Sequence, residues 1–241
     1  MSGALSFGRR WMGRIAPVVP TLMVAAMLAV LVSLGLWQID RMHQKNEMLA
    51  RYAANSAAPA EALPQRIADP ESYAFRTARL ACTFEGEAVL SPGGNLAGKA
   101  GNHVYALCRE PGRNDRVVVD LGWQPFQAAR PLVDGLAAKI EGVVRPWADH
   151  TAMEKISGSA RVSPQSFQAE AGIAPVFVQA KRIVPGETEG GAAFPETQPS
   201  PLEPEAIPNN HRSYAIQWFL FAATLLAIYG VYVYRWRRLQ R

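Results

Sequence analysis

The sequence predicts a membrane protein in which two transmembrane helices flank a β-rich extracytoplasmic domain. That domain is of α+β type, a small antiparallel barrel or sandwich. Three observations lead there. Two long runs, 17–37 and 213–234, carry no charged residue. All 20 acidic residues lie between those runs, from Asp40 to Glu205. Between them, short alternating apolar stretches are separated by glycine and proline, the pattern of short strands and turns.

The first 16 residues form a basic tail with Arg9, Arg10 and Arg14. The apolar run 17–37 follows and is long enough to cross a bilayer as a helix. The alternative reading is a cleaved signal peptide. The run exceeds the usual apolar length of such signals, and Ser33-Leu34-Gly35 lacks an A-x-A cleavage pattern, so an anchor is expected. The tail shows no amphipathic Arg/Ser period of a mitochondrial presequence.

Residues 38–72 read as a juxtamembrane helix, QIDRMHQKNEMLARY, and a linker rich in Ala and Pro from residue 53. Trp37 and Arg41 stand four apart and share a helix face. A belt tryptophan and an arginine on phosphate headgroups would account for them.

The globular domain is expected over 73–184. Strand-like runs occur at 76–84, 87–92, 102–109, 116–123, 139–146 and 175–184. In 102–109, Val104, Ala106 and Cys108 alternate with His103, Tyr105 and Leu107. The stretch SPQSFQAEAG at 163–172 reads as a short helix capped by Ser163. Residues 185–212 hold six prolines up to Pro208 and read as an extended tether. The span 213–234 is about 33 Å long as a helix and closes the chain with the basic tail 235–241.

The charge distribution sets the topology. The tails carry seven Arg and no acid, while the middle has 18 Lys+Arg against 20 Asp+Glu. The net charge of +5 is therefore a positive-inside signature at both ends, not a nucleic-acid footprint. Both termini are expected in the cytoplasm and the central domain in the periplasm of a bacterial inner membrane.

Catalytic apparatus is not visible. The chain has no GxSxG, HExxH, Walker or dinucleotide motif, and its carboxylates are scattered. Gly93, Gly94, Gly98 and Gly101 read as a hairpin loop. Cys82 and Cys108 lie 26 apart, with no CxxC motif. In an oxidising compartment they form a disulfide, and otherwise they are two buried thiols.

Of the histidines, His103 and His150 read as surface or satisfied residues. His211 lies beside Arg212, two residues before the last uncharged run, with Tyr214 and Trp218 below it. There an imidazole caps the helix or meets headgroups, or it ligates the iron of an amphiphilic haem whose propionates lie near arginine. His43, six residues after Trp37, is weighed as a second axial ligand, against a solvated side chain.

The blocks PNNHRSYAIQWF, LGLWQIDR and DLGWQP resemble those of the surfeit-locus-one (Surf-one-like) family of cytochrome c oxidase assembly proteins. The resemblance covers nearly the whole chain. It implies a chaperone-like, non-enzymatic role: binding haem a near the outer membrane surface and aiding its insertion into oxidase subunit I. Subunit I, a haem a synthase and membrane lipid are the implied partners. The family's histidine maps onto His211. Its Trp, Gln and Arg after the first span map onto Trp37, Gln38 and Arg41, and its Gly-Trp-x-Pro onto Gly122, Trp123 and Pro125. Arg41, Arg212 and Trp218 are expected to flank the haem, with His211 on the iron. Leu121 and Gln44 depart from the family pattern, which has Arg and an aromatic there. The alternative is a cofactor-free membrane scaffold that holds an oxidase assembly intermediate.

Overall fold

Uncharged runs too long for an ordinary core helix form the two longest elements. In the computed structural model, which describes residues 18–95, 97–147, 166–167, 172–186, 193–199, 204 and 207–241, these are α1 (Val18–Ala57) and α2 (His211–Leu239). Both are long and apolar enough to cross a membrane. The chain divides into two units: residues 1–48 with 208–241, and residues 49–207.

The first unit is an antiparallel helix pair. Along α1 the contacts with α2 run in reverse order: Thr21 to Tyr229, Gly35 to Phe219, Gln38 to His211. Small residues permit the approach. A Cβ on Gly35 would lie 2.7 Å from the Phe219 ring, so only glycine admits that ring. Ala215 and Ala222 are the buried positions of α2, two turns apart. Pro20 sits in the first turn of α1, where its missing N–H costs no hydrogen bond. Leu22, Met23, Leu36, Ile216 and Leu220 are exposed, an outward apolar surface suited to lipid.

The second unit includes the last turns of α1. Tyr52 stacks on Phe75 with centroids 4.5 Å apart, and Asn55 Nδ2 donates to Ala74 O at 2.8 Å. A 3-10 turn, Pro70–Tyr73, is capped by Asp69, whose carboxylate accepts from Glu71 N. The segment expected as a linker is thus partly built into the fold. The helix runs to Ala57, strand β1 (Glu61–Ala62) pairs in parallel with Ala78 and Arg79, and Leu63 and Ile67 enter the core. Two apolar side chains among alanines and prolines help to anchor it, together with the β1 pairing and Arg113 Nη1, which donates to Pro64 O at 2.9 Å.

Five strands follow: β2 (Thr77–Gly94), β3 (Ala100–Arg109), β4 (Arg116–Gln124), β5 (Ala137–Pro146) and β6 (Ile173–Pro185). The runs 76–84 and 87–92 are one strand, which pairs with β5 over Thr77–Thr83 and with β3 from Thr83 onward, with an irregularity against β3 between Glu85 and Val89. The order β2-β3-β4-β6-β5, with β5 paired back to β2, closes the sheet on itself. Every pair in that ring is antiparallel except β4 with β6. The core inside the ring takes Val104, Ala106 and Cys108 from β3 and Val117, Val119 and Leu121 from β4. The opposite face is also buried: Tyr105, Leu107 and Val118 pack with Trp147, Phe167 and Phe177. Cys82 and Cys108 are bonded within the core, their Cα atoms 5.1 Å apart.

The glycine loop is the β2–β3 hairpin, with Gly93 opposite Gly101 and Asn95 Oδ1 accepting from Ala97 N and Lys99 N. Part of the proline-rich tether is pinned to the domain. Gln198 bridges Trp123 through two backbone hydrogen bonds, N–H to O at 2.8 and 2.9 Å, and Thr197 Oγ1 donates to Leu121 O at 2.6 Å. Gly122 makes room: its φ is +117°, and a Cβ there would meet Gln198 O at 2.5 Å. The Gly-Trp pair of the DLGWQP block therefore docks this segment. The short helix expected at 163–172, His150 and the N-terminal tail lie largely or wholly outside the described residues.

Candidate functional site

In the first unit the polar contacts between the helices, apart from Thr21 with Tyr229, gather where α2 begins. The sequence there is Asn209-Asn210-His211, and α2 starts at His211 with Asn210 as its N-cap residue. Asn210 makes no side-chain cap bond; its carbonyl accepts from Tyr214 N at 3.3 Å. The side chains on either side of it reach α1 instead. Asn209 Nδ2 donates to Asn46 Oδ1 at 2.7 Å and lies 3.4 Å from Met42 O. His211 Nδ1 stands 2.7 Å from Gln38 Oε1.

Gly35, Gln38, Met42 and Asn46 are spaced by three, four and four residues, so they form one stripe along α1. This stripe is the contact face. Trp37 and Arg41 flank it four residues apart. The Trp37 and His211 rings meet edge to face, 6.5 Å between centroids at 84°. Trp37 is still 54% exposed, which leaves most of the indole open beside the imidazole. Arg41 is exposed and donates to Gln44 Oε1 at 2.8 Å, and Gln44 donates in turn to Asp40 Oδ2 at 2.8 Å. Arg212 is exposed, next to His211.

Trp218 lies two turns further into α2 than His211 and on nearly the same helix face. It is half-buried and meets Phe221 edge to face at 6.1 Å. Trp37, Gln38 and His211 are thus brought into direct contact, with Arg41 and Arg212 at their borders and Trp218 deeper. His43 is not brought in. It is exposed and stands five residues past Gln38, about 140° around the helix from that side chain.

Among the described residues, no group of three or more His, Cys, Asp or Glu is placed to hold a metal ion. The imidazole of His211 is the donor this end of the helix pair offers. Two residues of the arrangement were not legible as functional. Asn46 is one polar residue among many in the juxtamembrane stretch, and Asn209 lies in the PNNHRSYAIQWF block without a role of its own. The signal that could have found Asn46 is its place on the stripe, eight residues after Gln38.

The second unit has its own polar clusters. His103 Nδ1 lies 3.1 Å from Asp120 Oδ2 and its Nε2 3.2 Å from Gly94 O, so it is a satisfied residue. Asp120 is buried and also accepts from Gly122 N at 3.0 Å. Glu85 is gripped by Arg109 and, at 2.6 Å, by Arg116. Hydrogen bonding from Arg109, helped by Arg116 and opposed by partial burial, holds its carboxyl below the usual glutamate range.

Compared with known proteins, the chain matches the family model described as the SURF1 family over residues 25–223. That range covers most of α1, the first half of α2 with His211 and Trp218, the six described strands and the pinned segment 193–199. No curated protein matches the chain.

Proposed function

From the membership of this chain in the SURF1 family, the cytochrome oxidase assembly factors, we propose that it binds haem a at the α1–α2 mouth and aids its insertion into oxidase subunit I. The observation that carries this reading is the contact of His211 with Gln38 and Trp37 at the start of α2. One ring nitrogen is engaged with an amide oxygen, which leaves the other for an axial bond to iron. The exposed guanidinium groups of Arg41 and Arg212 suit the propionates. Trp37 and Trp218 offer aromatic surface to a macrocycle and its tail. A single imidazole without a carboxylate or thiolate cluster suits a ligand that brings its own four nitrogens. Held this way, haem is cargo: the residues bind and orient it.

The setting belongs to the same proposal. The helices span a bacterial inner membrane, both termini are cytoplasmic, and the strand-rich domain is periplasmic. The arginine-rich tails and the acid-containing middle support that orientation.

The test is an absorption spectrum of the detergent-purified chain from cells that make haem a. Retained haem in the wild type and its loss in His211→Ala support the reading. A haem-free wild type that still restores oxidase assembly would replace it with the cofactor-free scaffold.

A further inference from the structure

We infer that Gln38 is a positioning residue that fixes the tautomer of His211 and so selects Nε2 as the ligating atom. This rests on the haem reading of His211 for its purpose, but the tautomer is a property of the protein alone. Gln38 Oε1, an acceptor only, stands 2.7 Å from Nδ1, so Nδ1 must carry the proton. A neutral imidazole protonated at Nδ1 has its lone pair on Nε2.

Free imidazole rings interconvert between the two forms and rotate about their side-chain bonds. Here both freedoms are restricted. The hydrogen bond sets the protonation pattern, and the Trp37 ring, 84° from the imidazole plane, limits its rotation. Gln38 itself sits on the α1 stripe that faces α2, flanked along the helix by Gly35 at the Phe219 contact and Met42 at the Asn209 contact. The acceptor is therefore held by the helix pairing and not by a mobile loop. Metal-binding histidines are commonly oriented by an oxygen on the nitrogen away from the metal, and removing that oxygen weakens metal affinity by about 10- to 100-fold.

The experiment uses the full chain with nitrogen-15 histidine in lipid nanodiscs, above neutral pH. Long-range proton–nitrogen correlation reads the tautomer, and His211→Ala identifies the signals of that ring. The wild type should show His211 protonated at Nδ1. Gln38→Leu, which removes the acceptor, should shift the ring to the Nε2-protonated form or a mixture. Gln38→Glu, which keeps an oxygen there, should restore the wild-type pattern. Titration with haemin should then show dissociation constants about 10- to 100-fold weaker for Gln38→Leu, and near wild type for Gln38→Glu.

Protonation at Nε2 in the wild type, or no change of tautomer in Gln38→Leu, would overturn the inference. Equal haemin affinity in wild type and Gln38→Leu would do so as well. If the tautomers behave as expected and no variant binds haemin, the assignment of Gln38 stands and the haem reading of His211 falls.

Discussion

Asn209 donates through its side-chain amide to Asn46 Oδ1 at 2.7 Å, joining residues 163 apart in sequence. The bond holds the chain just before α2 against α1, next to the pair Gln38 and His211. In a membrane-exposed helix pair such a bond is worth about 1 kcal/mol. Asn46→Leu, Asn209→Leu and the double variant should show a coupling energy of about that size when unfolded reversibly in mixed micelles. Strict additivity would mean that the bond contributes nothing.

Gly122→Ala should release the segment that carries Gln198. The added Cβ would lie 2.5 Å from Gln198 O, and the position already has a φ of +117°. The amides of Trp123 and Gln198, protected by their mutual bonds, should exchange hydrogen faster in the variant. Thr197→Val, which removes the hydroxyl bonded to Leu121 O, should act in the same direction but more weakly, by about 1 kcal/mol. Unchanged exchange in Gly122→Ala would show that the segment is held elsewhere.

Cys82→Ala with Cys108→Ala should cost the strand-rich domain about 2–4 kcal/mol, because the bond closes a loop of 26 residues. The denaturant midpoint should fall while its slope rises slightly, since the unfolded chain becomes more extended. In the unfolded wild type both cysteines should resist alkylation until a reductant is added. Ready labelling without reductant would contradict the bond.

The domain should lose stability in acid partly through Glu85. Its carboxyl is held below the ordinary range by Arg109 and Arg116, so the folded state binds its proton less readily than the unfolded state. That contribution is complete above the unfolded value of about 4.3 and disappears as pH falls through the lower folded value. Denaturation at neutral pH and at about pH 3 measures it. The wild type should lose more stability between the two than Glu85→Gln. Equal losses would show that the carboxyl is not preferentially charged in the fold.

Local patterns in the sequence were enough for the two long helices and most of the strands. The uncharged runs 17–37 and 213–234 read as long apolar helices, and they became the first half of α1 and most of α2. Alternation in 102–109 separated Val104, Ala106 and Cys108 from Tyr105 and Leu107, and those two sets line the two buried clusters. Both signals are readable because helix and strand periods repeat within a few residues. The block containing His211 was legible as well, through its place at the edge of an uncharged run.

What the sequence left undetermined depends on contacts between distant residues. Periodicity did not say that β4 and β6 pair in parallel, that β5 closes onto β2, or that Leu63 and Ile67 belong to the core. Nor did it distinguish bonded from free cysteines. In the helix pair, Gln38 and His211 are 173 residues apart, and nothing local marks one as the partner of the other. Their meeting is decided by the rotation and register of α1 against α2. Gly35 sets that register by admitting the Phe219 ring, as do Ala215 and Ala222 by allowing close approach. The same rotation leaves His43 exposed, about 140° around the helix from Gln38, because the pairing buries a single face of the helix.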